Sequence, residues 1–169
     1  GLLRPEAVRA AASLMMGADK VLCMGQGGSM ILAQEAAHLF ATALPNFFPV
    51  VDSHIQAMLT AQLTRRDVVL YFSYSGSTKE LLDNLKIARE RGAGVILITR
   101  FPKSPGAAYA DVVLQCGSHE GPFQGGSVAA RIAQLYVVDV LFSELCRRDL
   151  EGCRERRELV AEVLSDKHI

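Results

Sequence analysis

The 169 residues, half of them apolar, are enough for one domain with a substantial core. Eighteen Lys and Arg balance eighteen Asp and Glu, so the chain lacks the basic field through which a protein grips nucleic acid. Four scattered cysteines without a C-x-x-C pair, no apolar run of bilayer length and no signal-like start argue against a disulfide framework, a metal site and a membrane span. The expectation is a cytoplasmic chain with reduced thiols.

In chain order, the first predicted element is a helix from Pro5 to Met16, apolar at helical spacing behind a proline suited to a first turn. "KVLCM" reads as a short buried strand, followed by "GQGGS" and a helix from Ser29 to Leu44. "FFPVVD" reads as a second strand, and Pro49 inside it predicts a sheet edge. A helical piece from Ser53 to Leu63 leads to "DVVLYFS", apolar nearly throughout, as a parallel strand covered on both faces would be. A helix from Thr78 to Arg91 and the strand "GVILIT" follow. "SPGAAYA" is a turn or short helix, "DVVLQC" a fifth strand, and the Gly-rich link "GSHEGPFQGGS" leads to a helix from Ser127 to about Arg148. A last helix spans roughly Glu151 to Ser165, its mixed charges a solvated face with Arg154 and Glu158 as an i,i+4 pair. Strands alternating with helices predict an α/β fold, a three-layer αβα sandwich around a five-stranded parallel sheet.

In such a sheet, ligands bind beyond the carboxyl ends of the strands, where the strand order reverses. With the order 2-1-3-4-5, the loops after strands one and three share one crevice. The loop "SYSGST" carries Ser73, Ser75, Ser77 and Thr78 around a glycine and opens a helix, which suits an anion such as phosphate. Ser77 with Glu80 also matches a capping box, but that pattern leaves Ser73, Ser75 and Thr78 unexplained. "GQGGS", with Asp52 at the end of strand two, approaches a dinucleotide fingerprint, yet Met30 stands where its last glycine belongs. No glycine-lysine pair precedes a Ser or Thr, so a Walker A loop is excluded, and no cofactor is predicted.

Taken together, "GQGGS", "SYSGST" after "DVVLYF", "GVILITR", "SPGAAYADVVL" and "ARIAQLYVVDVLF" resemble the SIS (sugar isomerase) domain. The branch most similar is the effector domain of RpiR-type transcriptional regulators. The resemblance covers about Val21 to Phe142. It implies a flavodoxin-like sandwich that dimerises and binds a sugar phosphate. Ser73, Ser75, Ser77 and Thr78 would cradle the phosphate, and Gly27 and Ser29 would meet the ligand from the first loop. Regulators of this branch carry an N-terminal helix-turn-helix domain. Only one helix precedes the first strand here, so the expectation is a single SIS domain over residues 1–169, with DNA reached only through a domain outside this chain. The branch often has a serine before the arginine that opens the long helix; here Ala130 precedes Arg131, so Arg131 is not assigned to the ligand.

An aldose–ketose isomerase would need a base and an acid to move a proton between adjacent carbons. Glu120, after strand five, is the candidate base or a ligand contact, with His54 or His119 as the acid. His38 and His168 have no evident role, and Glu35 is either a ligand contact or part of a dimer face. The expected function is a phosphosugar-binding sensor, with a stand-alone isomerase using Glu120 as the alternative. The apolar stretches "AQEAAHLFATAL" and "IAQLYVVDVLF" face either the sheet or a second copy in a homodimer.

Overall fold

Five parallel strands run side by side in the order β2-β1-β3-β4-β5 in a computed structural model, which describes residues 2–117 and 127–168. They are β1 (Lys20–Gly25), β2 (Phe47–Val50), β3 (Asp67–Phe72), β4 (Gly94–Thr99) and β5 (Val112–Gln115). The helices are α1 (Pro5–Met16), α2 (Gly28–Ala41), α3 (Ser53–Ala61), α4 (Lys79–Glu90), α5 (Val128–Arg148) and α6 (Leu150–Ser165), with one 3₁₀ turn at Pro105–Tyr109. The α/β class and the predicted strand order both hold.

β3 is buried at all six positions, and β1 and β4 at five of six each. Alternation of side chains across a strand explains why such runs need two cores. Val21, Cys23, Val68, Leu70 and Phe72 point to the layer of α1, α2 and α5. Leu22, Met24, Val69 and Tyr71 point the other way, toward α3 and α4. Aromatic packing anchors the first core, with the Phe40 and Phe47 rings 4.6 Å apart. Pro49 lies in the edge strand β2, where its missing N–H breaks no ladder.

Element ends depart from the periodicity for local reasons. α2 stops at Ala41 rather than Leu44: the Thr42 hydroxyl bonds the Leu39 carbonyl at 2.7 Å, and Leu44 precedes Pro45 and so avoids helical backbone. α5 starts where expected, its Ser127 side chain accepting from the Ala130 N–H at 3.1 Å. In α6 Arg154 pairs with Glu151 at 2.7 Å instead of the expected Glu158.

Among the described residues no helix is long and apolar enough to cross a membrane. The feature that positions the site is the β1–β3 ladder. Gly25 is in register with Phe72, so the loops that follow leave the sheet side by side at its carboxyl edge.

Candidate functional site

The first loop turns through Gly27, whose φ of 56° lies in the left-handed region that glycine adopts without strain. The backbone then enters α2 at Gly28, with Ser29 N–H donating to the Gln26 carbonyl at 3.0 Å. Gly27 and Gly28 are exposed, and Ser29 is half-buried behind them. No side chain caps α2; its second and third N–H groups turn back to the loop, Ser29 to the Gln26 carbonyl and Met30 to the Gly27 carbonyl at 3.1 Å.

The second loop is a tighter construction. Ser73 is buried, and its hydroxyl oxygen accepts from the Gly76 N–H at 3.1 Å; the Ser75 oxygen accepts from the Ser77 N–H at 3.3 Å. Ser73 and Ser75 therefore shape the turn. Gly76 sits at φ 67°, and a Cβ there would lie 2.1 Å from the Ser104 hydroxyl oxygen. Only glycine fits this crossing. The Gly76 carbonyl accepts from Gly106 N–H at 2.8 Å, and the Tyr74 carbonyl accepts from both the Arg100 N–H at 3.1 Å and the buried Thr99 hydroxyl at 3.0 Å. The loop is thus stitched to the end of β4 and the 3₁₀ turn.

One expectation fails here. The residue capping α4 is Thr78, not Ser77, and it makes no side-chain capping bond. The capping box with Glu80 does not form, because the Gly76 turn carries the chain one residue further before the helix begins. Consequently the hydroxyls of Ser29, Ser77 and Thr78 bond to no other described residue, and Ser77 and Thr78 stand exposed beside the uncapped start of α4. Two uncapped helix starts and a group of hydroxyls meet at one sheet edge. That arrangement suits a bound anion carrying further oxygens.

Below the loops lies a polar cluster that the sequence reading missed. Gln56 of α3 is fully buried; its amide nitrogen donates to the carbonyls of Gly25 at 3.1 Å and Val50 at 2.8 Å. Its oxygen accepts from Gln26 at 2.6 Å and from Asn84 at 3.4 Å. The Tyr71 hydroxyl, its pKa raised by burial, donates to the Gln26 oxygen. The cluster fixes where β1 ends and the first loop begins. A glutamine within a short helix gives no sequence signal for such a role.

The remaining candidates separate. Asp52 caps α3, accepting from Ile55 N–H at 2.9 Å, so its carboxylate is already engaged. His54 is exposed in the first turn of α3, and no described hydrogen bond ties it to either loop. Glu35 and His38 are exposed along α2. Glu120 and His119 lie outside the described residues. Arg131, unassigned from sequence, comes over the first loop: a Cβ on Gly28 would stand 3.6 Å from its guanidinium. No group of metal-ligating side chains occurs among the described residues. A groove of about 850 Å³ between α1 and α5 is lined mainly by Leu3, Val8, Ile132 and Tyr136 and touches neither loop. Arg9, Gln115, Glu144 and Arg147 also line it.

Residues 14–144 match the family model of the SIS domain. The chain is 33% identical over 168 residues to an HTH-type transcriptional regulator of Caldanaerobacter subterraneus subsp. tengcongensis, covering 99% of this chain and 60% of the relative. It is 32% identical over 127 residues to the HTH-type transcriptional regulator RpiR of Escherichia coli K12, covering 75% of this chain and 43% of that protein. These regulators are therefore considerably longer than the chain described. Among solved structures, the Vibrio vulnificus NanR protein complexed with ManNAc-6P matches with a TM-score of 0.93 at 26% identity, over 99% of this chain and 64% of that one. The sugar isomerase domain of an RpiR transcription factor from Sphaerobacter thermophilus shares the fold, with a TM-score of 0.81 at 24% identity over 95% of this chain and 88% of that one. With the family model running from the last turn of α1 into α5 and covering both loops of the crevice, the chain belongs to the SIS domain family.

Proposed function

We propose that this chain is the phosphosugar-binding effector domain of a transcriptional regulator. The observation that carries the reading is the second loop: a glycine-pivoted turn braced from behind, with hydroxyls and uncapped N–H groups facing the crevice. Ser73, Ser75, Ser77 and Thr78 bind the phosphate, while Gly27 and Ser29 meet the sugar from the first loop. Glu120 serves as a further ligand contact. The regulator relatives support the regulator reading, and the NanR complex with ManNAc-6P supports a sugar phosphate as the ligand class.

The mechanism is linkage. A ligand that binds one arrangement of a homodimer more tightly shifts the population toward it, and a DNA-binding domain outside this chain reads the shift. The Gln26–Gln56 pair offers a path, since it ties the first loop to α3 and β2. The regulator relatives support sensing rather than turnover.

A thermal-shift screen of hexosamine 6-phosphates, pentose 5-phosphates and inorganic phosphate tests the proposal. At least one sugar phosphate should raise the melting temperature more than phosphate does. A flat response across the panel would remove the proposal.

A further inference from the structure

We propose that Cys146 and Cys153 form a modification site for peroxides, closing into a disulfide that pins α6 to α5. Two residues seven apart in a straight helix are separated by about 10 Å along its axis. Here α5 ends at Arg148 and α6 begins at Leu150, and the chain turns between them at Asp149, with φ −141° and ψ 62°. The Asp149 carboxylate caps α6, accepting from the Gly152 N–H at 3.2 Å, and a Cβ on Gly152 would collide with it. That corner folds Cys153 back onto Cys146, and the Cys146 thiol donates a hydrogen bond to the Cys153 sulfur. Both residues line one cavity of about 630 Å³, together with Leu150, Arg154 and Arg157. Arg156 holds Cys153 in place, its guanidinium 3.7 Å from the sulfur while it also bonds Asp149 at 2.9 Å. Beyond Arg156 the helix is exposed except at the half-buried Val160. A covalent tie at Cys153 therefore falls where α6 is held to the fold.

The two thiols differ in access. Cys146 is half-buried and opens on the cavity, whereas Cys153 is only 2% exposed. A peroxide entering the cavity meets Cys146. The Cys146 thiolate attacks one peroxide oxygen; an S–O bond forms, the O–O bond breaks, and the other oxygen leaves as water. The Cys153 sulfur then attacks the sulfenic acid on Cys146. The S–S bond forms, the S–O bond breaks, and the Cys153 proton leaves with the hydroxide as a second water. The thiols lose two electrons and the peroxide gains them. Sulfurs already in hydrogen-bond contact need only small side-chain rotations to reach the bonding distance of about 2.05 Å. Burial and the contact with Cys153 hold the Cys146 pKa up at about 11, so the first step is slow near neutral pH. The site answers sustained oxidant rather than a brief exposure. Cys23 in β1 and Cys116 just after β5 are buried and stay reduced.

The test exposes the folded chain to excess hydrogen peroxide, removes the oxidant, then alkylates free thiols in denaturant and digests with trypsin. Cleavage after Arg147 and Arg148 separates the two cysteines, so a linked peptide reports their disulfide. The treated wild type should lose two of its four free thiols and yield that linked peptide, and dithiothreitol should restore all four. In Cys153→Ala, Cys146 should instead be trapped as a sulfenic acid by a dimedone probe. In Cys146→Ser, Cys153 should remain reduced. Amide exchange over residues 150–157 should slow about threefold or more in the oxidised wild type, and unchanged exchange would contradict the pinning of α6. Four free thiols after treatment would overturn the site. So would a disulfide joining two copies of the chain, or one that includes Cys23 or Cys116 while the chain is folded.

Discussion

The side-chain amides of Gln26 and Gln56 meet at 2.6 Å, joining the loop after β1 to a helix packed on the α3–α4 side of the sheet. Gln56 uses both ends of its amide, holding the Gly25 and Val50 carbonyls as well. Gln56→Leu would strand these buried partners without acceptors or donors. The variant should lose about 2–4 kcal/mol of unfolding free energy in urea. A loss below about 0.5 kcal/mol would mean that the cluster is not holding the loop.

The crossing of Gly76 and Ser104 gives a second prediction. Gly76→Ala must accept a positive φ and a collision with the Ser104 side chain, so it should destabilise by more than about 2 kcal/mol. Adding Ser104→Gly should restore part of that loss, the steric part, and leave the backbone part. If the double variant is no more stable than Gly76→Ala alone, the collision is not the cause.

Acid should weaken α5 through Glu144. Its bonds from the Arg147 and Arg148 guanidinium groups lower its pKa to about 2. A folded-state pKa below the ordinary value near 4.3 means stabilisation that is complete above that value and lost as pH falls toward about 2. Glu144→Gln should therefore be less stable than the wild type at pH 7, with the gap closing across that acid window. A gap that stays constant from pH 7 to pH 2 would contradict the pairing.

Thiol chemistry offers a fourth check. Burial pushes Cys23 and Cys116 up to about 12 and raises Cys146 to about 11, so none is a thiolate near neutral pH. A disulfide reagent at pH 8 should react slowly with the native protein and label all four cysteines in denaturant. Rapid labelling of Cys23 or Cys116 in the folded state would show that their surroundings open.

The parts of the fold that were legible in sequence are those set by local pattern. Runs such as "DVVLYF" and "GVILIT" are apolar throughout because both faces of those strands are covered, and Pro49 marked the sheet edge because it cannot donate to a ladder. The surplus hydroxyls of "SYSGST" marked the second loop. What escaped the sequence depends on distant residues meeting. Ser77 and Glu80 have the right spacing for a capping box, but Gly76 is pinned by Ser104 and Gly106, and that shifts the start of α4 to Lys79. Gln56 reads as an ordinary polar helix residue until β2 and the first loop close over it. Arg131 reaches Gly28 only after the chain has crossed the whole sheet.

The most direct measurement is a calorimetric titration of the chain with ManNAc-6P and with related hexosamine and pentose phosphates, beside the double variant Ser75→Ala with Thr78→Val. The wild type should bind at least one of them saturably, with phosphate competing, and the variant should lose about 10-fold or more in affinity while remaining folded. Equal binding by the variant, or no sugar phosphate bound by the wild type, would contradict a phosphate cradle at Ser73–Thr78.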